Sequence, residues 1–128
     1  MEQTSRFLHL DARLMCAMEL FSGARVAADV GCDHGRLACA FAQRDPAAHC
    51  IAIDLSPASI EKTRDLAALT GVSERVETRL GDGLGPLAPY EAEAVAILGI
   101  GGTLMARMLG AARLPLMGAK QCVLQPMR

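Results

Sequence analysis

The sequence predicts an α/β protein with a doubly wound, mostly parallel sheet of about five strands. Short apolar runs alternate with segments whose apolar residues recur at helical spacing, the order expected when crossover helices join parallel strands. Most strand candidates are continuously apolar, which is typical of strands buried on both faces of a sheet. With 128 residues, the chain is expected to form a single domain over residues 1–128.

The predicted elements follow one another along the whole chain. We expect, in order, helix 10–21, strand 25–30, helix 36–43, strand 49–53, helix 57–70, strand 75–80, strand 94–98, helix 102–112 and strand 121–124. The helices are predicted from apolar residues at helical spacing, and the strands from short apolar or alternating runs.

The clearest boundaries belong to the third helix. Ser56 can accept hydrogen bonds from free backbone amides, and Pro57 suits the first helical position. Gly71 is expected to end this helix, as Gly23 ends the first. In the strand that follows, Val76 and Leu80 alternate with polar residues.

Ligands of doubly wound sheets bind beyond the carboxyl ends of the strands. The segment DVGCDHG, from Asp29 to Gly35, covers the end of the first strand candidate and the turn that follows it. Gly31 lets the backbone turn tightly, but Asp33 occupies the second glycine position of a dinucleotide fingerprint. A carboxylate there repels a pyrophosphate and suits a cation, such as the ammonium and sulfonium groups of S-adenosylmethionine. The alternative is a plain turn in which Asp33 or His34 caps the next helix.

Acidic residues also follow the second and third strand candidates. Asp54, next to Leu55, is placed to accept hydrogen bonds from ribose hydroxyls, as in dinucleotide-binding folds. Asp82 lies between two glycines in the segment 81–83. The alternatives are a solvated aspartate at a strand end and an ordinary Asp-Gly turn.

The fourth strand candidate is followed by Gly99, Ile100, Gly101 and Gly102. So many glycines are costly to order, and they suit a loop whose backbone lies close to a ligand or to the reacting base. The alternative is a simple chain reversal before the next helix.

Composition excludes several classes of protein. The cysteines form no CxxC pair, so we expect reduced thiols and no metal site; they are Cys16, Cys32, Cys39, Cys50 and Cys122. No apolar run is long enough to cross a bilayer, and the first residues lack the pattern of a signal peptide, so cytoplasmic residence is the default expectation. The net charge of −1 gives no overall signal for nucleic-acid binding.

Several motifs, taken together and in order, resemble the TrmK-type tRNA adenine-N1 methyltransferase family. They are the segments DVGCDH at 29–34, RLGDGL at 79–84, GIGG at 99–102, LQP at 124–126 and the opening LDARL at 10–14. The resemblance covers nearly all of the chain. Its most specific parts are the first loop and the glycine-rich fourth segment.

The resemblance implies methylation of adenine N1 in the D-arm region of tRNA, conventionally at position 22, with S-adenosylmethionine as cofactor. It also implies a Rossmann-like sheet of seven strands and a helical second domain, so we expect this sequence to be truncated. An incomplete sheet would leave an exposed edge strand, which predicts a homodimer. The tRNA partner is then expected to need the absent region.

The expected binding residues follow from the loops and from the resemblance. Cofactor contacts are expected from Asp29, Gly31, Cys32, Asp33, His34, Gly35, Asp54, Leu55, Gly81, Asp82, Gly83, Gly99, Ile100 and Gly101. Substrate contacts are expected from Arg13, Gly102, Gln125 and Pro126. Tyr90 is the one aromatic residue expected in a loop near the substrate. Met127 stands where the family often has asparagine, so no catalytic side chain is assigned.

Three other functions stay open from the sequence. The first is a methyltransferase of another substrate class, such as a small molecule or a protein. The second is an NAD-dependent oxidoreductase, against which Asp33 argues. The third is a non-catalytic S-adenosylmethionine-binding fragment.

Overall fold

The computed structural model describes residue 8, residues 10–110, residue 116 and residues 118–127, and only the main chain of residues 99, 100 and 125–127. The elements in chain order are α1 Ala12–Phe21, β1 Val26–Val30, α2 Arg36–Arg44, β2 His49–Asp54, α3 Pro57–Leu69, β3 Val76–Leu80, β4 Ala94–Gly101, α4 Gly102–Gly110 and β5 Gln121–Met127. Each expected element is present. Ala111 and Ala112, predicted to end the last helix, lie outside the described residues.

The five strands form one sheet in the order β3-β2-β1-β4-β5, and every neighbouring pair is parallel. The chain builds outward from β1 to β3 and then crosses to the other side of β1 to form β4 and β5. The direction of winding therefore reverses between β1 and β4. In open α/β sheets this reversal opens a crevice at the carboxyl ends of the strands, where ligands bind.

The two faces of the sheet carry side chains of different size. Small residues such as Ala27, Ala52 and Ala96 belong to the core cluster that also includes Phe21 and Phe41, whose rings meet edge to face with centroids 5.2 Å apart. Larger strand residues belong to the cluster on the other face, with Met105 of α4; they include Val30, Ile53, Val95 and Ile97. The central strands β1, β2 and β4 are thus buried on both faces, as predicted.

Side-chain caps define where two helices begin. The Asp11 carboxylate accepts a hydrogen bond from the Leu14 N–H at 2.9 Å, so α1 begins at Ala12 and not at Leu10 as expected. Leu10 is still buried, at 3% exposure. Ser56 Oγ accepts from the Ser59 N–H at 3.2 Å, with Pro57 in the first turn, which confirms the predicted start of α3.

The outer strands are less buried than the sequence pattern suggested. β3 lies at one edge of the sheet, and the expected apolar face fails at Leu80, whose side chain is 58% exposed although Val76 is buried. β5 lies at the other edge of the described sheet, where Leu124 is 41% exposed. The helices that the structure describes include none long and apolar enough to span a membrane.

Candidate functional site

A cleft of about 540 Å³ opens at the carboxyl ends of the strands. Its walls come from the ends of β1, β2 and β4, from the loops that follow β1, β2 and β3, and from residues of all four helices. Eleven of the residues predicted to bind cofactor or substrate line it: Arg13, Asp29, Gly31, Cys32, Asp33, His34, Asp54, Leu55, Gly81, Asp82 and Gly83. The structure thus brings three predicted loops together, while the contacts of each residue with a ligand stay predictions.

The first loop, residues 31–35, bends back over the end of β2. The backbone N–H groups of Gly31 and Cys32 both donate to the carbonyl oxygen of Ile53, at 2.8 and 3.0 Å. Gly31 has φ +73°, a conformation that favours glycine. Asp33 also adopts a left-handed conformation, with φ +55°. The loop therefore presents its side chains at the cleft from a tightly turned backbone.

Asp54 connects this loop to the start of α3. One carboxylate oxygen accepts a hydrogen bond from the Asp33 N–H at 3.0 Å, and the other accepts from the Ser56 N–H at 2.9 Å. Because each carboxylate oxygen has two lone pairs, both retain capacity to accept a ligand hydroxyl. Asp54 is therefore more than a solvated aspartate at a strand end, and it suits the predicted ribose contact.

Gly35 was predicted to contact the cofactor, but it is not among the described residues that line the cleft. Instead it packs against α3: a Cβ at this position would lie 2.5 Å from Thr63 Cγ2, and φ is +80°. Thr63 is fully buried, and its hydroxyl donates to the Ser59 carbonyl at 2.8 Å and lies 3.4 Å from Cys32 Sγ. Close packing against α3 thus explains the glycine at this position, and its predicted contact with the cofactor stays a prediction.

The third loop, residues 81–83, is held by the chain itself. A Cβ at Gly81 would collide with the ring of Pro86, and Gly83, at φ +59°, lies against Met108 of α4. These glycines are explained by their protein neighbours, although Asp82 between them lines the cleft.

Arg79 ties the end of β3 to the remainder of this connection. Its guanidinium donates to the Pro86 carbonyl at 2.9 Å and pairs with both carboxylate oxygens of Glu91. The Glu91 carboxylate also accepts from the Ala88 N–H at 2.9 Å. Hydrogen bonds from Arg79 lower the pKa of Glu91 to about 2.

The fourth glycine-rich segment is not the predicted loop. β4 continues from Leu98 through Gly101 and pairs with β5, where Gly101 lies opposite Met127, with a register shift between Leu98 and Ile100. The segment extends as a strand because β5 supplies backbone hydrogen-bond partners along it. Gly101 and Gly102 are not among the described residues that line the cleft; for Gly99 and Ile100 only the main chain is described.

The remaining substrate-side predictions have mixed outcomes. Gln125 and Pro126 lie within β5, opposite Leu98 and Ile100, so they belong to a strand, and their side chains lie outside the described structure. Tyr90 was expected near the substrate, but a Cβ at Gly118 would lie 2.8 Å from its ring. Gly118 precedes β5 and therefore lies at the amino ends of the strands, away from the cleft. The expectation that Tyr90 lies near the substrate is therefore wrong.

Sequence reasoning missed several residues that line the cleft. The apolar ones are Leu14, Val30, Leu37, Ile53, Leu98, Leu104 and Met108, and the polar ones are Arg36 and Ser59. The pattern of α4 indicated core packing for its apolar side chains, yet Leu104 is 42% exposed. That exposure depends on how α4 sits on the sheet, so helical spacing alone could not reveal it.

Acidic side chains outnumber the two arginines, Arg13 and Arg36, that line the cleft. Asp29 is only 3% exposed, and this burial, reinforced by the Asp54 and Asp33 carboxylates, raises its pKa to about 7. Burial also raises the pKa of the Cys32 thiol to about 12, so that thiol is neutral at pH 7. With Asp82, four acidic side chains line the cleft. They favour a ligand that carries positive charge and disfavour a pyrophosphate.

The fold and the cleft define a Rossmann-like α/β domain whose site suits a cationic nucleoside ligand. The chain belongs to the methyltransferase domain family, whose profile matches residues 10–128. This membership argues against the NAD-dependent oxidoreductase, in agreement with the acidic first loop.

Characterised relatives show a more specific similarity. The tRNA (adenine(22)-N(1))-methyltransferase of Bacillus subtilis (strain 168) is 32% identical over 119 residues, which are 93% of this chain and 50% of that protein. The chain therefore spans about half the length of this relative. A release factor glutamine methyltransferase of Cereibacter sphaeroides is 44% identical over 54 residues, 42% of this chain and 19% of that protein.

Solved structures share the fold over almost the whole chain. The crystal structure of the B. subtilis tRNA methyltransferase TrmK has a TM-score of 0.83 at 31% identity, covering 93% of this chain and 51% of that one. A Streptococcus pneumoniae protein in complex with S-adenosyl-L-methionine has a TM-score of 0.82, covering 92% and 56%. At 24% identity, the second likeness shows the fold alone.

Proposed function

We propose that this chain binds S-adenosylmethionine in the cleft and that the protein transfers its methyl group to N1 of an adenine in tRNA, at position 22. The acidic cleft in a methyltransferase domain carries the cofactor part of the proposal. The similarity to a tRNA (adenine(22)-N(1))-methyltransferase over 93% of the chain supports the substrate part. We place this activity in the cytoplasm.

Different cleft residues contact different parts of the cofactor in this proposal. Asp29 and Asp33 lie where carboxylates favour the cationic part of the ligand, and Asp54 has free lone pairs for the ribose hydroxyls. Leu55, at 68% exposure, supplies apolar surface next to Asp54 for the base. When bound, S-adenosylmethionine supplies an electrophilic methyl group on its sulfonium.

Methylation of adenine N1 requires little acid–base catalysis by the protein. Adenine N1 has an in-plane lone pair, so no general base is needed to create the nucleophile, and alignment is the main contribution. The methylated base is cationic, and the exposed carboxylates of Asp33 and Asp82 would stabilise that charge. We assign Arg13, at the rim of the cleft, to the RNA side.

Calorimetric titration of the purified chain tests the cofactor assignment. S-adenosylmethionine and S-adenosylhomocysteine should bind and NAD should not, and Asp54→Ala should weaken binding at least tenfold, since it removes a carboxylate that orders two loops and receives the ribose. Asp65→Ala, at an exposed position of α3, is the matched control and should bind normally. A folded chain that binds neither compound would contradict the proposal.

A methylation assay tests the substrate. The full-length protein should methylate an unmodified tRNA and leave unmethylated a tRNA in which adenine 22 is replaced by guanine. The 44% identity to a release factor glutamine methyltransferase over 54 residues keeps a second candidate, a methyltransferase of another substrate class. Cofactor binding without methylation of any tRNA would favour that candidate or a non-catalytic fragment.

We also propose that the chain forms a homodimer through β5, and that tRNA binding needs sequence beyond this chain. Among the described strands, β5 is paired on one side only and exposes Leu124, and such edges favour pairing with another chain. Light scattering should report a dimer that Leu124→Lys weakens. A monomer at all concentrations would contradict the dimer.

A further inference from the structure

Asp29 occupies an unusual place for an acidic side chain. It lies in β1, the central strand, with Ala52 and Ala96 opposite it on the two neighbouring strands. It is only 3% exposed, yet it lines the cleft. The carboxyl group therefore has almost no water around it, and its charge must be balanced by the protein or by a ligand.

The surroundings of Asp29 do not favour a negative charge. The carboxylates of Asp54, from β2, and Asp33, from the first loop, both disfavour its ionisation, and the Ala38 N–H of α2 offsets them only in part. A negative charge on Asp29 would in turn raise the pKa of three nearby thiols, which burial already keeps neutral at pH 7: Cys32 of the loop, Cys39 of α2 and Cys50 of β2. His34 and Arg36 line the same cleft.

A bound cation changes this balance. Without it, ionising Asp29 places a buried negative charge beside the Asp54 and Asp33 carboxylates, and the pKa of about 7 means that close to half of the molecules hold the proton at pH 7. A positive charge in the cleft stabilises the ionised form and lowers that pKa. Binding and proton release are then thermodynamically linked.

We propose that Asp29 responds to the charge of the bound ligand, holding a proton in the free cleft and releasing it to solvent when a cation binds beside it. This inference rests on the proposed function, because S-adenosylmethionine is the cation that it assigns to the cleft. Asp29 thereby favours a ligand with a cationic group over 5′-methylthioadenosine, a thioether of the same nucleoside that has neither the sulfonium nor the ammonium. The O–H bond of the Asp29 carboxyl group breaks, its electron pair stays on the carboxylate, and the proton passes to the buffer; no bond of the ligand changes.

Calorimetry in two buffers with different heats of ionisation measures the released proton directly. At pH 6, S-adenosylmethionine should release about 0.9 proton, and at pH 7 about 0.5, while its affinity rises about fivefold between them. The neutral 5′-methylthioadenosine should release none. The pH stays at 7 or below because an α-amino group titrates near pH 8.

Two variants assign the proton to a residue. Asp29→Asn should abolish both the release and the rise in affinity with pH. His34→Gln, which removes the imidazole that lines the same cleft, should retain both. If Asp29→Asn does not fold, proton release measured with the wild-type protein and with His34→Gln still tests the proposal.

The outcomes separate this inference from the proposed function. Binding of S-adenosylmethionine without proton release, or release that disappears in His34→Gln, would overturn the role of Asp29 and leave the proposed function intact. Absence of any binding would instead overturn the proposed function itself.

Discussion

Two glycine-rich segments of this chain look alike in sequence and differ in structure. Residues 31–35 form a tight loop in which Gly31, Asp33 and Gly35 all have positive φ. Residues 99–101 continue β4 as an extended strand that pairs with β5. Both segments follow a buried apolar run, and both were expected to be loops at the ligand.

The difference lies in what each backbone can pair with. The amides of Gly31 and Cys32 turn back to a single carbonyl oxygen of Ile53, and α3 packs closely behind the loop. Gly101 instead has Met127 of β5 opposite it. Glycine content thus indicates where a backbone has freedom, while a neighbouring strand decides whether it turns or extends.

The largest expected effect comes from a substitution that disrupts the contact between the first segment and α3. Gly35→Ala would place a methyl group 2.5 Å from Thr63 Cγ2 at φ +80°, so we expect a loss of about 3 kcal/mol or more in the free energy of unfolding, from strain and overpacking together. Urea denaturation followed by circular dichroism measures it.

The matched control is the glycine of the second segment. Among the described atoms, none lies within 4 Å of a Cβ built at Gly101, so Gly101→Ala should change stability by no more than about 0.5 kcal/mol. Equal losses at the two positions would mean that the contact with Thr63 does not distinguish these segments.

A smaller effect is expected in the third loop, which side chains hold in place. Arg79 and Glu91 are 21% and 27% exposed and form a bidentate pair, so a double-mutant cycle with Arg79→Met and Glu91→Gln should give a coupling of about 1 kcal/mol at pH 7. Because the pKa of Glu91 is lowered to about 2 in the folded protein, this stabilisation is complete above pH 4.5 and is lost as the pH falls toward 2.

Urea unfolding of the four proteins at pH 7 and pH 3 measures the cycle. The coupling should be smaller at pH 3. A coupling near zero at pH 7 would show that Pro86 packing against Gly81, without the ion pair, holds this loop.

The site was predictable where its signals are local. Asp33, Asp54 and Asp82 were identified from their positions after apolar runs, and all of them line the cleft. Leu104 and Met108 were missed because an apolar stripe on a helix predicts burial but does not show whether the stripe faces the core or a ligand cleft. The packing of Gly35 against α3 was missed because its neighbour, Thr63, lies far along the chain.

The sequence by itself determined the order of the elements, the parallel sheet and the three loops that meet at the cleft, because periodicity and helix capping depend on residues close together in the chain. Only the tertiary structure decided that β4 runs on to Gly101 and that Gly35 packs against a helix. It also decided that Asp29 is buried beside two other carboxylates. Strand pairing, close packing and desolvation arise between residues that the chain brings together from a distance, so no local pattern encodes them.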